Sequence, residues 1–251
     1  QPEEAKMYSA GFVTQPAKNV SANVDWWQVN RSGTIQSFGT TQMLENYAVF
    51  QDRFERRPDG TILRIDRRWV NSGATTTKGV EFGLKGNTDL GKGKLYASFD
   101  LSYLLGKKSK LLPTAPWSLS EINRFTRSSD IGLKWKHTAS LSYRRGNWSV
   151  LVNNVYRNSY LDGVLPGVAA GLVRPPEWNA RVKPYSIYGL SATYRGIKNI
   201  TLIAGVKNLF NTDPPFSATY DTNFGSGSSW EPRIADPRGR SYTLRVDYRF
   251  R

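Results

Sequence analysis

Hydrophobic positions fall at every second residue in stretch after stretch of this chain. The clearest stretch is the last one. From Arg240 to Phe250, one parity holds Tyr242, Leu244, Val246, Tyr248 and Phe250, and the other holds Ser241, Thr243, Arg245, Asp247 and Arg249. A period of two predicts a β-strand with unlike surroundings on its two faces. Soluble sandwiches contain such strands, whereas a transmembrane barrel requires them, because one face meets lipid and the other a polar lumen. The same alternation recurs over residues 5–14, 20–27, 77–85, 95–103, 138–143, 148–157, 190–195 and 200–207, although Leu151 and Val155 blur one of these. About nine strands are predicted, and the fold class is all-β.

The connections alternate in length. Short turns fall at 16–19, 87–93, 144–147 and 196–199, and long segments at 30–72, 106–130, 158–182 and 211–239. Outer-membrane barrels combine short periplasmic turns with long outer loops, an alternation that soluble sandwiches rarely keep. Long loops without structure argue against a compact domain unless they are functional. Residues 41–50 admit a short helix. The polar parity carries charges of both signs: Asp25, Glu81, Asp100, Arg157, Lys207 and Arg245. These are expected to line a wet lumen, since a charge on the lipid face costs up to ~2–4 kcal/mol near the midplane. If the short turns are periplasmic, the first and last strands run the same way and the C-terminus is periplasmic. An odd strand count leaves two edges unpaired in lipid, so the native barrel is expected to contain more strands.

Composition narrows this picture. The 251 residues are 39% hydrophobic, with a mean hydropathy of −0.51. No run approaches the ~18 apolar residues of a membrane helix, but a barrel needs none, because half of each strand is polar. The 13 Tyr, 11 Phe and 8 Trp suit membrane interfaces and also carbohydrate-binding surfaces. Tyr8, Trp26, Tyr103, Tyr143, Trp148, Tyr194, Tyr242 and Tyr248, at strand ends, are expected to form interface girdles. Cysteine is absent, which removes disulfides and thiolate metal sites. The net charge of +15 is scattered along the chain rather than gathered in one stripe, which argues against nucleic acid as a partner. The chain opens on Gln1-Pro2-Glu3-Glu4 without an initiator Met, as a processed product or fragment would.

Catalytic chemistry is sparse. The single histidine, His137, lacks the partners for a metal site, haem capture or a Ser-His-Asp set, and reads as structural. Gly225-Ser226-Gly227-Ser228-Ser229 lacks the lysine of a phosphate loop and reads as a flexible loop. Neither an enzymatic activity nor a cofactor is expected. Between Arg53 and Arg68 the chain interleaves arginines with Asp52, Glu55, Asp59 and Asp66, which describes a solvated, charge-paired loop.

Several of these pieces together resemble the C-terminal part of TonB-dependent outer-membrane receptors. Pro2-Glu3 followed by Tyr8-Ser9-Ala10-Gly11-Phe12 resembles the family's mid-barrel strand. Asn71-Ser72-Gly73 and then Thr77-Lys78-Gly79-Val80-Glu81 is similar to its asparagine-glycine and lysine-glycine-apolar-glutamate pair. Gly205-Val206-Lys207-Asn208-Leu209-Phe210-Asn211 with Asp213-Pro214-Pro215 resembles its penultimate strand and outgoing loop. The terminal strand, with Tyr242, Tyr248 and Phe250, is similar to the signature read by the barrel-assembly machinery. Arg251 departs from the pattern by following that Phe, and the N-terminal plug, the TonB box and the first half of the barrel are missing. The family's barrel has about 22 strands, so residues 1–251 correspond to its last nine, and the chain is expected to be a barrel part that does not transport alone.

What the resemblance implies is a receptor in the bacterial outer membrane. It would bind a scarce ligand, above all a ferric siderophore, and import it with energy supplied by the TonB complex through the missing plug. Lipid, lipopolysaccharide and the barrel-assembly machinery are the further partners implied. Arg and aromatic side chains suit anionic chelates. In the long segments these are Arg53, Arg56, Arg57, Trp69, Arg124, Arg127, Tyr160, Trp178, Tyr220 and Trp230. Each is also what a loop-packing or lipopolysaccharide-facing residue looks like. Two alternatives stay open: a passive porin-like channel, and a soluble β-rich carbohydrate-binding protein.

Overall fold

The computed structural model describes residues 2–126, 130–163, 171–172, 181–217 and 229–250. Nine strands form one antiparallel sheet: β1 (Glu4–Ala17), β2 (Val20–Gln36), β5 (Val70–Leu90), β6 (Gly93–Lys110), β7 (Trp135–Arg145), β8 (Trp148–Arg157), β11 (Tyr185–Ile197), β12 (Ile200–Lys207) and β13 (Ser241–Tyr248). They are neighbours in chain order, with β1 at one end of the sheet and β13 at the other. All nine were legible from the alternation. Each short turn is tight, and Gly91, Gly146 and Asn199 supply the positive φ that two-residue connections demand. No described helix is long and apolar enough to cross a membrane, which says nothing of strands.

The register carries the two-sidedness across the sheet. On one face, Asp100 pairs with Thr138, Lys136 with Arg157, Arg157 with Tyr185, Ile203 with Arg245 and Lys207 with Ser241. On the other, Leu101 pairs with His137, Leu141 with Val152, Leu190 with Val206 and Leu202 with Val246. A slip of one residue would swap the faces, so the apolar set pins the pairing.

Three strands run furthest past one end of their alternation. β2 continues to Gln36, β5 begins at Val70 and β6 runs on to Lys110. These extensions are polar on both parities, so no period shows. Side-chain bonds hold them: Thr76 Oγ1 donates to Asn30 Oδ1 at 2.7 Å, Gln36 Nε2 to Ser72 Oγ at 3.0 Å, and Asn71 Nδ2 to the Gly33 carbonyl at 2.9 Å.

Two compact units emerge from the chain's contacts. One comprises Gln1–Tyr8, Gln28–Thr77 and Lys108–Leu119; the other comprises Ser9–Trp27, Lys78–Lys107 and Ser120–Arg251. In the first, helices α1 (Thr40–Glu45) and α2 (Tyr47–Phe50) and the hairpin β3 (Phe54–Arg56)–β4 (Ile62–Ile65) close over Phe38, Met43, Phe50, Phe54 and Leu112. Gln42 Oε1 caps the Gly39 N–H at 3.0 Å, and Asn46 closes the first helix on the Gln42 carbonyl. In the second, the two-stranded pair β9 (Tyr160–Leu161)–β10 (Arg181–Val182) helps enclose Ile131, Leu133, Tyr160, Val182 and Ile234.

Candidate functional site

Glycines shape the polar face. Asn153 leans over its cross-strand partner Gly189, and Thr243 leans over its partner Gly205. Asp25, Asn23 and Trp27 likewise lie over Gly11, Gly83 and Gly79. A Cβ at any of these glycines would strike the side chain lying across it, so glycine is kept there for close approach. Asn23 Nδ2 donates to Asp25 Oδ2 at 2.7 Å, and Trp27 Nε1 donates to Glu81 Oε1 at 3.3 Å. Asp25 and Glu81 are thus half-buried in a hydrogen-bonded layer, whereas Asp100 is exposed. Arg245 is exposed beside Asp247, with Nε to Oδ1 at 2.7 Å.

Arg157 and Lys207 share this face, but each is committed to a loop. Arg157 Nη1 donates to the Ile234 carbonyl, Lys207 Nζ to Asp236 Oδ2 at 2.7 Å, and Tyr185 Oη to the Asp236 carbonyl at 3.3 Å. The last long connection is therefore tied onto the polar ends of β8, β11 and β12. Inside it, Arg233 grips the buried Glu231 with both Nε and Nη2, at 2.8 and 2.9 Å, and donates Nη1 to the Thr126 carbonyl at 2.9 Å. Its guanidinium lies 5.3 Å from the Phe125 ring centroid. Hydrogen bonds from Arg238, then Lys207, hold the Asp236 carboxyl well below the usual range.

Tyr160 departs from the expectation of a ligand contact. Its side chain is 0% exposed, at the centre of the Ile131–Leu133–Val182–Ile234 cluster. Burial pushes its hydroxyl pKa up, and Ser217, which donates to Asp162 at 3.1 Å, lies beside it. The residue looked like a loop aromatic because alternation gives no signal in a two-residue strand. Of the other candidates in this unit, Arg124 is exposed and Trp230 half-buried. Arg127, Trp178 and Tyr220, like Arg251 and residues 225–228, lie outside the described residues.

In the first unit half of the arginines in the basic segment are charge-paired. Arg53 reaches Asp66 at 3.8 Å, Arg68 reaches Asp66 at 2.7 Å, and Arg64 pairs with Glu55. Arg68 holds the Asp66 carboxyl well below its ordinary value. Arg56 donates to the Gly60 carbonyl at 2.7 Å and lies over Tyr47. Arg57 is exposed, and Trp69 is 70% exposed. Pro58-Asp59-Gly60 makes the hairpin tip, with Gly60 at φ +85° and Asp59 accepting from Thr61. That tripeptide between two short apolar-flanked runs is a turn signal that identifies the hairpin from sequence.

The apolar face is exposed over a wide area, including Leu141, Val150, Val152, Leu244 and Val246. Aromatic residues border it at both strand ends. Tyr143, Trp148, Tyr194, Tyr248 and Phe250 lie near the short turns, and Tyr103, Trp135, Tyr156, Tyr188 and Tyr242 near the long loops. Trp148 and Tyr156 are eight residues apart on β8, or ~26 Å at ~3.3 Å per residue, which matches the ~25 Å apolar band of an outer-membrane barrel. Tyr8 and Trp26 are exposed strand residues on β1 and β2. His137 sits on the apolar face, stacked 5.0 Å from Tyr156. It accepts from Trp135 Nε1 at 2.8 Å and meets Asn154 Oδ1 at 3.1 Å, and Asn154 Nδ2 donates onward to Ser186 Oγ at 2.9 Å. Its role is structural, inside a closed polar chain. Among the described residues no group of three or more His, Cys, Asp or Glu is placed to hold a metal ion.

A continuous antiparallel sheet with one exposed apolar face between aromatic borders and one polar face, joined by tight turns at one end and folded loops at the other, has the construction of a transmembrane β-barrel wall. The family model described as TonB dependent receptor-like, beta-barrel matches residues 1–209, and the chain belongs to that family. Solved structures agree in fold. A mutant of the ferric enterobactin receptor PfeA from Pseudomonas aeruginosa superposes with a TM-score of 0.64 at 18% identity, covering 99% of this chain and 31% of that one. The FrpB iron transporter of Neisseria meningitidis, in its F5-1 apoprotein form, gives 0.61 at 18% identity, with the same 99% and 31% coverage. The copper transporter OprC gives 0.55 at 17% identity, covering 100% and 32%. The chain thus spans about a third of the length of the solved receptors it resembles. No curated protein sequence matches it.

Proposed function

We propose that this chain forms part of the barrel wall of an outer-membrane transport receptor that captures a scarce ligand, with a ferric siderophore as the ligand class, and imports it with TonB-supplied energy. The observation that carries the reading is the two-faced sheet that matches the receptor-barrel family over residues 1–209. In this reading the apolar face meets lipid. Asp25, Glu81, Asp100 and Arg245 face the lumen, while Arg157 and Lys207 anchor the loop at its mouth. Arg57, Arg124 and Trp69 are exposed on long connections and suit an anionic, aromatic chelate through charge-assisted bonds and stacking. No step in this role is catalytic. Solved receptors of the same fold are named for ferric enterobactin, iron and copper, which supports metal chelates as cargo.

The test is uptake of a radioiron-labelled catecholate and of a radioiron-labelled hydroxamate siderophore by iron-limited cells with and without the complete gene. Uptake of one of them that needs the gene and stops with a protonophore supports the reading. Gene-dependent uptake that persists with a protonophore makes the protein a passive channel, and uptake of neither removes siderophores as its ligand class.

A further inference from the structure

The polar face changes the sign of its charge along the strands. Its middle carries carboxylates at Asp25, Glu81 and Asp100, on β2, β5 and β6. Toward the short turns it carries cations instead. Lys85 follows Glu81 by four residues on β5, and Lys94 precedes Asp100 by six on β6. These intervals are ~13 and ~20 Å at ~3.3 Å per residue. Lys85 shares the parity of Glu81, and Lys94 that of Asp100. Salt screens exposed charges over ~8 Å, so the two signs act as separate regions. A solute coming from the long-loop end meets the carboxylates first and the cations after them.

The cationic region holds an open pocket of about 400 Å³, within the ~300–1,000 Å³ range of small-molecule sites. Lys18, Lys85, Tyr96, Ser98 and Ser140 are among the residues that line it. Tyr96 holds two further cations over its ring, the Arg144 guanidinium at 4.9 Å and the Lys94 ammonium at 5.9 Å from the centroid. Those two line an adjoining depression with Lys92 and Asp89. None of Lys18, Lys85, Lys94 and Arg144 forms an ion pair with a carboxylate among the described residues. The Ser98 and Ser140 hydroxyls bond each other at 2.8 Å. Whichever one donates, the other keeps its own proton for a further acceptor. Two ammonium groups and a hydroxyl donor in one pocket suit a solute with several anionic oxygens.

We propose that this pocket is a second cargo site, at the short-turn end of the lumen, and that the cargo is a chelate of net negative charge. Lys18 and Lys85 take its anionic oxygens, the free serine hydroxyl donates to one of them, and Lys94 and Arg144 add to the positive field. The carboxylates make the middle of the face the unfavourable stretch for an anion and the pocket the favourable one. An anion that has passed Asp25, Glu81 and Asp100 is therefore held at the exit rather than returned. An uncharged chelate feels neither region. The inference rests on the transport role proposed above.

The experiment uses iron-limited cells carrying the complete gene, with parent and variants at matched abundance in the outer membrane. The probes are a radioiron-labelled tris-catecholate, which is anionic, and a radioiron-labelled trihydroxamate, which is uncharged. Surface binding is measured with a protonophore present and transport without it. The parent is expected to import the catecholate. The double variant K18Q/K85Q is expected to lower its transport rate about ten-fold, the loss of charge-assisted contacts, while the affinity of surface binding stays at the parent value. K18R/K85R, which keeps both charges, is expected to restore the rate. An unchanged rate in K18Q/K85Q, a matching loss of surface binding, an equal loss for the trihydroxamate, or no restoration by K18R/K85R overturns the exit site. A parent that imports only the trihydroxamate overturns it too, while leaving the transport role standing. A parent that imports neither chelate overturns the siderophore reading on which the inference rests.

Discussion

In the first unit, the connection between β2 and β5 folds by hydrophobic closure: Phe38, Met43, Phe50, Phe54 and Leu112 are buried, and Arg53, Arg64 and Arg68 pair with carboxylates around that core. In the second, the connection before β13 folds by charge. Glu231 is 1% exposed with Arg233 forked onto it, and Asp236 bridges Lys207 and Arg238. Both are long connections with much Arg and Asp, yet among the described ion pairs only the second buries a carboxylate, Glu231. The difference follows from what each has to pack against. The first carries enough large apolar residues for a small core, at ~1.5–3 kcal/mol for each one fully buried. The segment 229–238 carries few, and lies against a polar sheet face that offers Arg157, Tyr185 and Lys207 as partners.

The sharpest way to break this contrast is to remove the buried cation. Arg233→Met leaves the Glu231 carboxylate uncompensated and should cost the second loop cluster about 3–5 kcal/mol. Hydrogen exchange should then rise in residues 120–126 and 229–238. Restoring neutrality with Glu231→Leu in the same chain should recover much of the loss. Exchange that stays at the parent level in the single variant would mean that the pair is not what holds the loop.

Next in size is the apolar core. Met43→Ala should cost about 2–4 kcal/mol, and the exchange it raises should be confined to residues 38–70. A matching rise in 229–238 would show that the two clusters do not fold independently.

The smallest effect comes from the exposed ion pairs. Asp66 and Asp236 are held below their ordinary carboxyl range in the folded protein. Their contribution is therefore complete above about pH 4, fades below it, and is lost as pH falls through the lower folded value. Because both pairs are solvent-screened, Asp236→Asn should cost under ~1 kcal/mol and less in high salt. Amide exchange across pH 3 to 6 with and without salt measures this. A large loss near pH 6 would require another titrating group.

How much was legible beforehand depended on whether a residue had a periodic partner. Tyr242 to Tyr248 on one parity against Arg245 and Asp247 on the other announce a strand, because the pleat turns a two-sided environment into a period of two. The common face of Asp100, Arg157, Lys207 and Arg245 followed from the same rule. Tyr160 did not: in a two-residue strand nothing periodic distinguishes a buried ring from an exposed one, and only the closing of Ile131, Leu133, Val182 and Ile234 around it decides. Arg157 and Lys207 could be assigned to a face but not to a partner, since the carbonyl of Ile234 and the carboxylate of Asp236 lie far along the chain.

The sequence by itself determined the nine strands, the two faces and the family, because each is written in local alternation or in short contiguous motifs. The tertiary structure alone decided the polar extensions of β2, β5 and β6, the division of loop arginines into paired and exposed, and the binding of the last loop to the sheet. The strand extensions and the loop's attachment depend on hydrogen bonds and ion pairs between residues tens of positions apart, as with Arg233 and Thr126, and a bond of that kind leaves no periodic trace in either of the segments it joins.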